Sequence, residues 1–219
     1  MNARSAIAVW DLPTRLFHWS LVGLIAFSWW SAENGAMDWH RLSGETLVGL
    51  VAFRLLWGIF GGSTARFASF VQSPAKVLGY VRGQNHGAAG HNPAGGYSVL
   101  ALLGLVALQV ATGLFAVDTD GLESGPLSYL VSFEQGRVAS GIHEVSFNLL
   151  IALIMLHLGA IVFYRLIRRR NLVAPMITGR DTQLTDGNGA LIAVPAWRFV
   201  VCAALAGLFA WWIAGGMTL

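Results

Sequence analysis

The segment Gly141–Arg165 reads GIHEVSFNLLIALIMLHLGAIVFYR, and its reading decides the fold. Two histidines, His143 and His157, stand fourteen residues apart in an otherwise apolar run. In a helix, that spacing gives about 21 Å of rise and a net rotation of about −40°. Both imidazoles then lie on one face, one toward each side of a bilayer with a hydrocarbon core about 30 Å thick. A polar side chain inside a membrane is costly and is a functional candidate by default.

Composition supports the membrane reading. Of 219 residues, 55% are hydrophobic and 11% charged, against roughly 25% charged in a soluble domain. The formal charge of +3 fits basic cytoplasmic loops better than nucleic-acid binding. The one cysteine, Cys202, excludes an internal disulfide. No C-x-x-C-H segment offers covalent haem attachment.

Five spans are expected. The first covers Leu12–Ala32; its tryptophans, His18 and the lack of an A-x-A site argue against a cleaved signal peptide. The second runs from about His40 to Phe60, with Glu45 and Arg54 inside it. A Gly- and Ser-rich loop over 61–95 holds a short surface helix, Pro74–Arg82, with Ser73 as its cap and Gly83 as its stop. The third span covers about Gly96–Val117, where Gly104 and Gly113 permit close approach. A long loop over 118–140 follows, and its apolar piece Pro126–Phe133 suits the membrane surface. The fourth span is the opening segment. A polar connector leads to the fifth, Trp197–Trp212, whose Ala206, Ala210 and Ala214 suit helix packing. The domains are a helical core over 1–170, a cytoplasmic connector over 171–196, and a fifth helix over 197–219.

Basic residues near span ends set the orientation. Arg4 and Arg15 mark the N-terminus, while Arg66, Lys76 and Arg82 mark the 61–95 loop. Arg165, Arg168, Arg169, Arg170 and Arg180 mark the connector. These segments belong on the cytoplasmic side, with the N-terminus inside and the C-terminus outside. The opposite side is acidic: Glu33, Asp38, Glu45, Asp118, Asp120, Glu123, Glu134 and Glu144 face only Arg41 and Arg137, a formal −6.

With that orientation the span histidines sort by depth. His18 pairs with His157 near the inner face, and His40 with His143 near the outer face. Two facing imidazoles in a helical bundle suit the axial positions of a b-type haem. Zinc fits less well, since it usually takes four ligands and each level supplies two. Two haems are therefore expected. Arg41 and Arg137 are candidate propionate partners at the outer level; Arg15, Arg54 and Arg165 are candidates at the inner one. The competing reading for each arginine is snorkelling to the headgroups. His86 and His91 read as solvated loop residues.

The segments VWDLPTRLFHW (Val9–Trp19), WHRLSGETLVGLVAFRLLWGIFG (Trp39–Gly61), ARFASF (Ala65–Phe70) and GHNPAGGY (Gly90–Tyr97) join the His143–His157 segment in a recognisable set. Over about residues 9–170 the chain resembles the bacterial cytochrome b561 family and the related b-type cytochrome subunits of nickel–iron hydrogenases. The resemblance implies an all-α integral membrane protein, a four-helix bundle holding two bis-histidine b haems. It implies electron transfer between a quinone pool and another redox partner. Carried over, the ligands are His18, His40, His143 and His157. His91 matches a loop histidine placed to serve a haem edge or a quinone site. The fifth helix lies outside the resemblance.

Three redox readings follow. The first is electron transfer between membrane quinone and a periplasmic partner, with a basic c-type cytochrome favoured by the acidic outer side. The second is oxidation of superoxide coupled to quinone reduction, an activity found in the cytochrome b561 family; the outer negative charge disfavours an anionic substrate. The third is a membrane anchor and electron acceptor for a periplasmic oxidoreductase such as a hydrogenase. A non-redox transporter is the remaining alternative, and the lack of an internal repeat weighs against it.

Overall fold

The computed structural model describes residues 6–83, 90–184 and 190–217. A two-residue strand β1 (Ile7–Ala8) precedes helix α1 (Leu12–Glu33). Asp11 caps α1 by accepting from the Thr14 backbone N–H at 2.8 Å, and Pro13 sits in the first turn. A turn at Gly35, with φ of 67°, leads into α2 (Met37–Phe60). Gly61 ends α2. A Cβ there would lie 2.4 Å from the Trp57 carbonyl oxygen, so only glycine fits.

Two short helices follow, α3 (Phe67–Phe70) and α4 (Pro74–Val81). The expected surface helix is thus present, stopped by Gly83 at φ 77°. Ser73 stands at its cap position, but its side chain makes no cap bond. Helix α5 (Pro93–Phe115) starts three residues earlier than expected. Asn92 accepts from the Gly95 N–H at 2.7 Å, and Pro93 pre-sets the first turn.

Helix α6 (Phe133–Leu166) contains the opening segment but begins eight residues before it. The cause is a capping box: Ser132 accepts from the Gln135 N–H, and the Gln135 side chain accepts from the Ser132 N–H. The 34 residues span about 51 Å, so α6 projects beyond the hydrocarbon layer. The apolar piece before it holds only a single 3-10 turn, Ser128–Leu130. The connector is more structured than expected. It carries α7 (Val173–Thr178) and β2 (Arg180–Asp181), which pairs antiparallel with β1. Helix α8 (Ala196–Ala214) closes the chain.

Helix α1 packs on α2, α5 on α6, and α2 on both α5 and α8. Helix α6 lies along α5 and stands off from α1 and α2. That leaves a slot through the bundle. Val51, Val106 and Leu150 fill its middle, joined by Leu21 and Ile25 of α1. Leu150 is seven residues from each α6 histidine, so this apolar layer divides the slot into two levels.

Among the described residues four helices are long and apolar enough to cross a membrane: α2, α5, α6 and α8. Helix α1 has the length but falls short on apolarity, because Arg15, His18 and several serines dilute it. The outer faces of the apolar helices carry Met155, Leu156 and Val162 largely exposed, as a lipid-facing surface requires. The chain is a mostly helical, multi-pass membrane protein.

Candidate haem sites

At the end of the bundle where α1 finishes and α2 begins, His40 and His143 face each other. Their ring centroids are 6.0 Å apart and the rings are nearly perpendicular, at 83°. The His40 Nδ1 lies 2.9 Å from the Ser28 carbonyl oxygen. The His143 Nδ1 lies 2.9 Å from the Gln109 carbonyl oxygen. A carbonyl only accepts, so both Nδ1 atoms carry the proton and both Nε2 lone pairs are free for a metal.

This arrangement fits a haem iron. Two metal–imidazole bonds of about 2.0 Å each bring ring centroids about 6 Å apart. Among the described residues no group of three or more His, Cys, Asp or Glu side chains gathers as a metal site. The outer level brings two imidazoles together, the number that axial ligation of a porphyrin iron uses. The cavity around the pair is about 480 Å³, within the range of cofactor sites. Glycines make room in it. Gly44, one turn after His40, has open space where a Cβ would point, and a Cβ on Gly113 of α5 would lie only 3.0 Å from the His143 ring. The expected close approach at Gly113 is present. At Gly104 a Cβ would meet nothing within 4 Å.

Both outer arginines line this cavity. Arg41 is ion-paired to Asp38 and Glu123. Arg137 gives one N–H to the Val117 carbonyl at 2.9 Å, leaving other donors free. Sequence reading missed Gln109 and Thr112. Gln109 supplies the carbonyl for His143 and accepts from Ser146 through its side chain; the Thr112 hydroxyl lies 3.3 Å from His143. The signal was available: a glutamine in an apolar helix, with a threonine three residues on, marks an inward polar face.

The other level is built differently. His18 and His157 are close enough to interact electrostatically. The His18 Nδ1 is buried without a hydrogen-bond partner. Arg15 does not point into the bundle. It donates to the Ile177 carbonyl at 2.5 Å, and Trp19 donates to the Met176 carbonyl at 3.2 Å. These bonds tie α1 to α7 and the connector.

Arg54 is 3% exposed, far more buried than snorkelling allows. Its guanidinium lies over the Phe67 ring at 4.7 Å, and one of its nitrogens has no partner. His91 corrects the expectation of a solvated loop residue. It packs between Trp10 and Phe70 at centroid distances of 4.6 and 4.5 Å, and its Nδ1 is buried without a partner. Burial, then the nearby Arg54 charge, pushes its pKa down to about 4. His86 lies outside the described residues.

Near this end Asn92 donates to the Tyr164 hydroxyl at 3.0 Å, which pairs with Tyr80 at 2.7 Å. The trio pins α4 and the start of α5 to the end of α6. Arg165 is not part of it.

Residues 9–179 match the prokaryotic cytochrome b561 family. The chain belongs to that family. No curated protein and no solved structure matches it. Membership makes this a membrane b-type cytochrome that transfers electrons across the membrane, and it implies b-type haem. Quinone and the respiratory chain are plausible settings for such a cytochrome. The family match covers α1 to α7 and ends before α8.

Proposed function

We propose that His40 and His143 ligate one b haem, that His18 and His157 ligate a second, and that electrons pass between membrane quinone and a periplasmic partner. The carrying observation is the outer pair: rings 6.0 Å apart, with each Nδ1 committed to a backbone carbonyl. Each haem, when bound, supplies a one-electron iron couple. The protein holds the imidazoles in one tautomer, keeps water out through the Val51–Val106–Leu150 layer, and offers cations to the propionates. Arg137 has free donors for the outer haem. Arg54 and His91 have unpartnered nitrogens for the inner one.

In this reading the chain crosses the inner membrane five times, with the N-terminus cytoplasmic and the C-terminus periplasmic. Helix α1 is the fifth crossing: its 22 residues span about 33 Å, and Trp19, Trp29 and Trp30 stand exposed toward its two ends as an aromatic belt would. Residues 1–170 act as the dihaem core, 171–196 as a cytoplasmic connector and 197–219 as an added helix. The acidic residues beside the outer pair favour a basic c-type cytochrome over superoxide.

Haem quantitation and the absorbance of the dithionite-reduced, purified protein test the reading. Two b haems per chain are expected. None, or one, refutes it.

A further inference from the structure

The family's shared part ends at residue 179, so α8 has no assigned task. Helix α8 packs on α2 through small residues: Ala206 is buried, and a Cβ on Gly49 would meet the Ala210 methyl at 3.2 Å. Its other side stands away from α1. Between α1, α2 and α8 lies a cavity of about 510 Å³. Leu16, Phe17, Phe53, Phe199 and Trp211 make its walls apolar.

One ionisable side chain lines this groove, Glu45. Glu45 also lines the cavity around His40 and His143. It stands five residues after His40, about 7.5 Å further along α2. Arg41, a turn earlier, is already held by Asp38 and Glu123. Glu45 makes no hydrogen bond or ion pair among the described residues, though it feels the Arg41 charge at a distance. A carboxylate facing an apolar, membrane-facing groove is costly unless something donates to it. A lipid acyl chain has no such donor. A hydroquinone hydroxyl has one, attached to an apolar tail that the groove can hold.

We propose that the α1–α2–α8 groove is a site for an isoprenoid quinol, and that Glu45 is its proton acceptor beside the outer haem. The proposal rests on reading His40 and His143 as haem ligands. Oxidation of the hydroquinone breaks two O–H bonds and releases two electrons and two protons. The electrons leave one at a time to ferric b haem. Each proton passes to the Glu45 carboxylate, which releases the first to the adjacent aqueous face before taking the second. Quinone reduction is the same balance reversed. Helix α8 supplies one wall of the site, which gives a task to the helix that the family match does not cover.

Photolabelling of the haem-loaded protein with an azido-quinone, followed by peptide mapping, tests this. Label is expected on α1, α2 and α8. Gly207→Phe should remove it, because a Cβ at Gly207 meets nothing within 4 Å and the ring would fill the groove. Thr46→Phe, from the opposite wall, should do the same if Gly207→Phe misfolds. Glu45→Gln should keep the label within about twofold while slowing haem reduction by quinol at least tenfold, roughly the lower range for loss of a general base. Label mapping elsewhere, label unchanged by both phenylalanine variants, or a tightly retained phospholipid in place of quinone overturns the proposal. The reduced spectrum separates the two failures: missing haem defeats the dihaem reading, whereas two intact haems with misplaced label defeat only the groove.

Discussion

The two histidine levels differ in how complete they are. At the outer level the protein itself holds both imidazoles in place. Ser28 and Gln109 carbonyls fix both rings, Gly44 and Gly113 clear the approach, and Arg41 is already neutralised by Asp38 and Glu123. Toward the inner end five buried nitrogens have no hydrogen-bond partner among the described residues, one each on Arg15, His18, Arg54, His91 and Arg170; at the outer cavity only one Asp118 carboxylate oxygen is left so. Buried donors are rarely left unpaired. The outer site is pre-organised, and the inner one is drawn to be finished by what it binds. The inner level is also lidded, by the β1–β2 pair and α7, whereas acidic loops rim the outer one.

The sharpest way to break this comparison is to remove one ligand per level. His143→Ala should eliminate the outer haem and His18→Ala the inner one, each halving haem content by pyridine haemochrome assay. Loss of both haems from either variant would mean that the levels are not independent.

Arg54→Leu probes the inner level's unmet donor. Removing a buried cation beside a haem favours the ferric state, so the inner midpoint potential should fall by an amount on the order of 50 mV. The outer potential should stay put. A redox titration in which both shift equally would remove Arg54 from the inner site.

Helix α5 sharpens the outer half of the contrast. Gly113→Ala places a methyl 3.0 Å from the His143 ring. The ring must yield by a few tenths of an ångström. The expected result is a shifted or broadened outer-haem signal in low-temperature spectra, with the inner signal unchanged.

The smallest effect expected is a pH dependence at the lid. The folded-state pKa of His91 is about 4 against an ordinary 6.5. The unfolded chain takes up a proton at pH 5 that the folded chain refuses. Stability from this group is therefore full above pH 6.5 and is lost as pH falls from 6.5 toward 4, by no more than about 2 kcal/mol at pH 5. Thermal unfolding at pH 7 and pH 5 should show that drop, and His91→Phe should lose it.

Much of the bundle was legible because its signals are local. Ser73-Pro74 and Gly83 are punctuation that a short window reveals. Where a start was misplaced, the cue was also local but overlooked: Asn92-Pro93 for α5, and the Ser132–Gln135 box for α6. The connector's strand was not legible, since β1 and β2 are two residues each and pair across more than 170 positions.

What the sequence alone determined is the set of long helices and the level of each span histidine along the bundle. Helical rise and charge at span ends are enough for that. Only the tertiary structure decided which donors are spent and which are left over. It turned Arg15 toward α7, buried Arg54, tucked His91 between two rings, and set Glu45 between two cavities. The reason is physical. A side chain's partner is fixed by packing between distant segments, and nothing in its own neighbourhood of sequence records which donor or acceptor that packing brings near.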